Sequence, residues 1–388
     1  MTPTVSRIAQ VEVFRVDLPV IKTFVFASGS AGTAGATAPH VFVKVTDDEG
    51  RAGWGEARPS PSWSYETPES IVSTVEGYLG PAVIGLPVSD RWGLHRRMRD
   101  VIGLGPSTGQ PLAKAAIDVA LHDLCARAAG LTLRAFLGGS DERSEVELSY
   151  TLTAHDIGSM REDVAEGRAA GFRHFNYKVG VEPATDLAVA AAIREEVEDD
   201  TFVWADANQS LTLHGARRIA PGLAAAGTDV LEQPLRADAG HLMQALRQST
   251  TLPLAVDESS VSATDFFRAA ATGVVDYLVI KVSRSGGLWP TLQQIAIAEA
   301  AGLGLLVSGL TDSMITKLAA CQVAAVHGFT GPAGLNGSQF VDDSELFPAK
   351  GELESGGVVR LGSALGVGIE PDEEALRRLA DRVVTVAP

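Results

Sequence analysis

The 388-residue sequence predicts an α/β protein: a modified (β/α)8 TIM-type barrel preceded by a smaller α+β N-terminal domain. Three observations predict it. From about residue 146, the apolar runs VELSYTL, HFNYKVG, TFVWADAN, VLEQPL, LAVDES, YLVIKVS and GLLVSG alternate with helix-like stretches such as DLAVAAAIREEVE and TLQQIAIAEAAG. Strand alternating with helix argues a parallel sheet of βα units, here seven with a weaker eighth around GPAGLNG. Second, Lys178, Asp206, Glu232, Asp257 and Lys281 each end a run, at separations of 28, 26, 25 and 24 residues, about one βα unit. Third, the first ~140 residues have another texture: RIAQVEVFRVDL, HVFVKVTDDEG and AGWGEA read as an antiparallel meander, with DDEG as a hairpin turn.

Helices are expected around residues 67–80, 88–100 and 110–129. The last has Pro111 near its start and Gly130 just past its end, as helices prefer. The expected division is 1–140 for the α+β domain, 141–355 for the barrel, and 356–388 for a segment returning to the first domain.

Composition narrows the function. The chain is 45% hydrophobic and 21% charged, an ordinary globular balance. A net charge of -16 argues against nucleic acid and against an anionic membrane surface. A small anionic substrate stays open if a metal or local lysines reverse the field. Cys125 and Cys321 suggest neither a disulfide framework nor a thiol metal site. The start, MTPTVSRIAQVEVF, lacks the pattern of a signal peptide, and Glu299, Asp312 and Lys317 interrupt the apolar stretch 296–329. A cytoplasmic enzyme is expected.

The ends of barrel strands hold active sites. Asp206, Glu232 and Asp257 fall on the neighbouring strands three, four and five. Three converging carboxylates repel one another without a cation. With oxygen ligands alone and no His or Cys beside them, Mg2+ is the expected ion. Separate helix caps are the plain alternative, and the equal spacing speaks against it. Lys178 and Lys281 fall on strands two and six, which face each other in a ring of eight. Either lysine can then take the α-proton of a metal-bound carboxylate, one on each face, through an enediolate. A neutral lysine is needed, and burial, the metal and the facing lysine are expected to favour it.

KVG at 178–180, DAN at 206–208, LEQP at 231–234, DES at 257–259 and IKVSRSGG at 280–287 together resemble the enolase superfamily, specifically its muconate lactonising enzyme subgroup. GWGEA at 53–57 and KAAIDVALHDL at 114–124 are similar to that family's capping domain. The resemblance implies Asp206, Glu232 and Asp257 as Mg2+ ligands, Lys178 and Lys281 as acid/base residues, and a homo-oligomer. Asn208 and Glu258 stand beside the ligands in the same motifs, as candidate contacts to substrate or ligands. No histidine ends strand six or seven, which sets the mandelate-racemase-like subgroup aside.

The sequence departs from the family pattern twice. Asn176 stands where Lys-x-Lys is usual, so it adds a hydrogen-bonding group for Lys178 or a carboxylate but no charge. Gly334-Leu335-Asn336-Gly337 stands where dipeptide epimerases resemble Asp-x-Asp, which disfavours a free substrate ammonium. Loop 23–39 reads as a lid, and loop 59–68 offers Trp63 and Tyr65 to cover substrate. Asp312 is a polar substrate contact or, preferably, a helix N-cap.

The expected substrate is a small carboxylate. Racemisation or epimerisation of an N-substituted or cyclic amino acid is favoured. A muconate-type cycloisomerase, or a dehydratase of a β-hydroxy acid such as a hydroxyproline, uses the same machinery. GPSTG at 105–109 matches a serine-hydrolase elbow, but the preceding RMRDVIGL reads as a helix end, not the required strand.

Overall fold

A computed structural model describes residues 6–27, 29–104, 108–140 and 142–388. The N-terminal part carries β1 (Ile8–Pro19), the short hairpin β2 (Phe24–Phe26) and β3 (Gly29–Gly32), β4 (Thr37–Asp47) and β5 (Ala52–Ala57). Helices α1 (Pro68–Thr74), α2 (Arg91–Val101) and α3 (Pro111–Ala128) follow. β1, β4 and β5 pair antiparallel as a meander, turned at Asp47–Gly50 where the Gly50 N–H meets the Asp47 carbonyl.

Helix α3 is buried along nearly its whole length, and its alanines let it lie close to β5. Closeness also needs the two glycines of the GWG stretch. A Cβ on Gly55 would stand 1.9 Å from the Ala116 carbonyl oxygen, and one on Gly53 2.2 Å from that of Ala120. Any side chain at either position would push the helix off the sheet.

The barrel repeats strand and helix: β6 (Ser149–Leu152), α4 (Ile157–Ala169), β7 (His174–Lys178), α5 (Pro183–Glu196), β8 (Val203–Asp206), α6 (Leu213–Ala225), β9 (Val230–Glu232) and α7 (Met243–Arg247). Then come β10 (Leu254–Val256), α8 (Ala263–Thr272), β11 (Tyr277–Ile280), α9 (Leu288–Ala301), β12 (Gly304–Val307) and α10 (Met314–His327). β6 to β12 form one parallel sheet in sequence order. The weak eighth unit is not a regular strand. Its place is taken by Ala333, bridged to Leu148, and Gly334, bridged to Ser308, so the ends of the sheet are joined. Inside, Trp204, Val230, Ala255, Val279 and Leu306 form a cluster that fills the barrel.

The last strand, β13 (Arg382–Val386), pairs antiparallel with β1. Asp123 ties this returning segment down. Its carboxylate accepts the N–H groups of Trp54 (2.9 Å) and Val367 (2.7 Å) and the Nε of Arg127 (2.9 Å), all in a buried place. No helix among the described residues is long and apolar enough to cross a membrane.

Asp123→Ala leaves two buried N–H groups without an acceptor, and the expected loss of stability is about 2–5 kcal/mol by denaturant unfolding. Burial pushes the Asp123 carboxyl up to about 6, against the opposing pull of Arg127, Val367 and Trp54. Its folded pKa is thus above its unfolded one, near 3.9. The folded state holds this proton more tightly, so the contribution of the group falls as pH climbs through about 6. Comparing unfolding midpoints at pH 4.5 and 7 checks the sign: the wild type should lose more than Asp123→Ala.

Candidate active site

Alternation along the strands decides what points into the barrel mouth. Trp204 is an interior residue, so Asp206, two residues on, faces inward too. Register carries this across the sheet: Asn176 pairs with Trp204, Lys178 with Asp206, and Asp206 with Glu232. Asp257 and Lys281 lie one residue past β10 and β11, in phase with interior Ala255 and Val279. The five periodic residues therefore meet at one end of the barrel, and all are largely buried.

Their charges are paired in a row. Lys178 Nζ donates to Asp206 Oδ2 at 2.7 Å. Lys281 Nζ lies 2.8 Å from Asp257 Oδ2, and Arg284 Nη1 donates to Asp257 Oδ1 at 2.8 Å. Burial raises the Asp257 carboxyl, but Arg284 and Lys281 outweigh it and hold the pKa below the usual range. Glu232 fares differently. Burial, then Asp206 and Asp257, push its carboxyl well above the usual range, and the lysines offset this only in part. For Lys178, burial works against the charge, yet Asp206 and Glu232 outweigh it and hold the pKa above that of an ordinary lysine. A lowered pKa is expected for this lysine with a metal among the acids; with the acids carrying no cation, Asp206 and Glu232 outweigh desolvation and favour the ammonium.

Among the described residues no three acidic, histidine or cysteine side chains already form a closed ligand cluster, because Asp206 and Asp257 are each drawn to a base. The donor set still suits a hard divalent cation. It is oxygen only, and Glu232 sits in surplus negative charge. Asp257 Oδ2 receives no well-directed hydrogen bond although Lys281 is near.

Aromatic side chains from the N-terminal domain cover both lysines. The rings of Phe24 and Phe26 lie 5.3 and 5.9 Å from Lys178 Nζ. The Trp63 ring lies 4.5 Å from Lys281 Nζ and 5.2 Å from the Arg284 guanidinium, and its Nε1 donates to Glu258 Oε1 at 3.4 Å. Beneath them is a cavity of about 20 Å3, reached by Lys178, Asp206, Glu232 and Lys281, with Asn176, Ser308, Thr311 and Asn336 as a neutral side. A larger hollow of about 480 Å3 lies at the opposite, N-terminal ends of the strands around His174 and Phe202, and holds none of the expected residues.

The other candidates divide. Asn176 donates to Ser149 Oγ at 2.9 Å on the adjacent strand, not to Lys178. Asn336 donates to Thr151 Oγ1 at 2.7 Å. Asn208 has a positive φ of 40°; its N–H meets Asp206 Oδ1 and its amide meets Glu258 Oε1, so it orients both acids. Tyr65 does not cover the cavity: it ends a helical turn at φ 56° and is 61% exposed. Asp312 is not an N-cap. Its Oδ2 accepts the Leu310 N–H at 2.7 Å, and Ser313 is the cap position of α10. Residues 105–107 of GPSTG lie outside the described residues, and the element before them is helix α2.

Two residues here were not expected. Arg284, three residues after Lys281, shares the Asp257 carboxylate; the i, i+3 spacing within IKVSRSGG was the available signal. Glu56 of GWGEA reaches from β5 into the barrel. It accepts the Ser313 and Thr316 N–H groups at 2.8 and 3.3 Å and pairs with His40 Nδ1 at 2.7 Å, fully buried.

Residues 159–375 match the family described as enolase C-terminal domain-like, and residues 10–138 match the mandelate racemase / muconate lactonizing enzyme N-terminal domain. The chain is 28% identical to the N-succinyl-L-Arg/Lys racemase of Bacillus cereus, over 96% of this chain and 98% of that one. The crystal structure of that racemase aligns at a TM-score of 0.89 over 98% of this chain and 100% of the other. A chloromuconate cycloisomerase of Cupriavidus necator is 34% identical over 86% of this chain and 90% of its own. A dipeptide epimerase of Enterococcus faecalis, solved with Mg and L-Leu-L-Tyr, aligns at a TM-score of 0.85 and 28% identity, covering 94% and 99% of the two chains.

Glu56→Ala strips the acceptor from two buried N–H groups and from His40, beside the loop that carries Thr311. The expected loss is about 3–5 kcal/mol of stability by chemical unfolding.

Proposed function

This chain is an enzyme of the mandelate racemase / muconate lactonizing enzyme family of the enolase superfamily, and on that premise we propose that it racemises or epimerises an N-acylated amino acid by proton transfer at the α-carbon. The observation that carries the reading is the pair Lys178 and Lys281, buried in one cavity on strands two and six, with the acidic row between them. Asp206, Glu232 and Asp257 would hold Mg2+, which when bound supplies positive charge for the substrate carboxylate.

The side chains do the rest. One lysine, as the free amine, takes the α-hydrogen as a proton, and the electron pair moves into the carboxylate as an enediolate. The other lysine, as the ammonium, returns a proton to the opposite face, so each lysine ends in the state the other began in. Phe24 and Trp63 keep bulk water from the reacting carbon. Among the described residues, no acidic side chain lines the neutral side of the cavity to meet a substrate ammonium. Asn176, Asn336, Ser308 and Thr311 instead offer amides and hydroxyls, which suit an acyl-amide better than a charged amine. The Bacillus cereus relative, named for N-succinyl arginine and lysine, supports that substrate class. Cycloisomerisation is the second reading, supported by the 34% identity to a chloromuconate cycloisomerase. It needs only one lysine as acid and base.

Incubation in D2O with N-succinyl amino acids separates the two. Racemisation predicts solvent deuterium at the α-carbon of both enantiomers. Lys178→Ala and Lys281→Ala should each lower turnover by about 10²–10⁴-fold. EDTA should abolish exchange and Mg2+ restore it. Exchange that survives both lysine substitutions, or that ignores EDTA, would sink the mechanism; lactonisation of a muconate without exchange of N-acyl substrates would favour the second reading.

A further inference from the structure

The cavity over the two lysines, about 20 Å3, has room for roughly one water molecule. No amino acid derivative enters unless an aromatic wall moves. The two walls sit on separate segments: the β2–β3 hairpin carries Phe24 and Phe26, and the stretch 59–67 carries Trp63. They touch where the Phe26 and Trp63 rings lie 5.5 Å apart, and Arg58, just before the second stretch, donates from Nη2 to the Ala31 carbonyl. Phe24 also stacks on Phe340 at 4.5 Å, and beside each aromatic wall one charged residue ties its segment to a neighbouring element.

Lys22 stands two residues before Phe24. Its ammonium donates to Tyr150 OH at 3.0 Å, to Asp163 Oδ1 at 3.0 Å and to Glu166 Oε2 at 2.9 Å. That uses all three donors of a lysine and fixes the hairpin to β6 and α4 of the barrel. Asp163 is itself held, since its other oxygen accepts the N–H groups of Thr153 and Ala154. Glu66 stands three residues after Trp63 and is 2% exposed. It accepts the Leu112 N–H at 2.8 Å and the Ala113 N–H at 3.2 Å, in the first turn of α3. The residue at the N-cap of that helix, Gln110, supplies no side-chain cap, so Glu66 fills the role from the next segment. Neither Lys22 nor Glu66 lines the cavity.

We propose that Lys22 and Glu66 are positioning residues, each latching one aromatic wall: Lys22 sets Phe24 and Phe26 over Lys178, and Glu66 sets Trp63 over Lys281. This rests on the two-lysine reading above, in which each lysine serves one face of the α-carbon. Loosening one latch therefore disturbs proton removal and return by the lysine on that face, and hence α-hydrogen exchange of one enantiomer without inversion, more than that of the other. A role in general stability would disturb both alike.

Amide hydrogen exchange on the full chain with Mg2+ tests the latches without substrate. Lys22→Met should speed exchange in peptides covering 20–27 by about tenfold or more, and Glu66→Gln should do so in peptides covering 60–67, each leaving the other segment near wild type. Lys22→Arg should restore protection. Circular dichroism checks folding, and Glu66→Asp, which keeps the charge on a shorter stem, replaces Glu66→Gln if that variant fails to fold. In D2O, the ratio of the rates at which the two enantiomers of an N-succinyl amino acid exchange their α-hydrogen without inversion should move about threefold or more in opposite directions in the Lys22 and Glu66 variants, whereas racemisation itself must slow equally in both directions. Wild-type protection of both segments in the variants overturns the assignment, as does a ratio that shifts the same way in both. If wild-type enzyme exchanges no α-proton from either enantiomer, the two-lysine reading has failed instead, and amide exchange alone decides the latches.

Discussion

Glu56 leaves a strand of one domain and accepts the first N–H groups of a helix in the other. The same device recurs across this interface. Asp118 of α3 accepts the Leu288 and Trp289 N–H groups at the start of α9, while also meeting His95. A helix start exposes N–H groups that need acceptors, and a buried carboxylate needs donors. Each satisfies the other only at one relative placement of the two domains. The seat is also sterically exact, for a Cβ on Gly287, at φ 110°, would stand 2.2 Å from Asp118 Oδ2. Desolvating these acids costs several kcal/mol each, so a misplaced domain would leave charges buried and unpaired. Placement of the aromatic walls over the barrel mouth follows from this.

The mouth has two halves. Strands β8 to β11 bring the acids and Lys281, with Lys178 on β7 at the border. The other half is neutral and is tied by amides: Asn176 to Ser149, Asn336 to Thr151, and Gln339 to both the N–H and the carbonyl of Thr151. Those bonds hold the loop that replaces an eighth strand against β6. With a cation held among the acids, as proposed above, that asymmetry would orient a substrate with one carboxylate, the carboxylate toward the cation and the substituent toward the amides.

Much of this was legible in the sequence, because the barrel repeat is physical. A strand alternates every two residues and a βα unit takes about 25, so the five ionisable residues at that spacing had to share one end and one side. Regular pattern reaches no further. Asp312 followed by Ser313 before a helix reads as a cap, yet the cap comes from Glu56, far away in sequence, and the Asp312 carboxylate turns back to Leu310. Trp63 and Tyr65 are neighbours of one kind in the sequence. Tyr65, at a positive φ, stays largely exposed and outside the cavity lining, while Trp63 enters the site. Arg284 and Glu56 lay inside motifs that were visible, but what each touches depends on contacts between segments, which local pattern does not encode.

The neutral residue at 176 fits this division of the mouth. A lysine there would stand two residues from Lys178 on the same face, in phase with Trp204 and beside Ser149. It would bring charge into the half that is otherwise all amide and hydroxyl. It would also repel Lys178, whose pKa Asp206 and Glu232 now hold up. With asparagine, the charge state of Lys178 is left to the acids beside it, and the neutral half keeps its hydrogen-bonding surface. Asn176 and Asn336 thus bracket β6 with uncharged side chains held by its hydroxyls, which is the feature that the proposed acyl-amide substrate rests on.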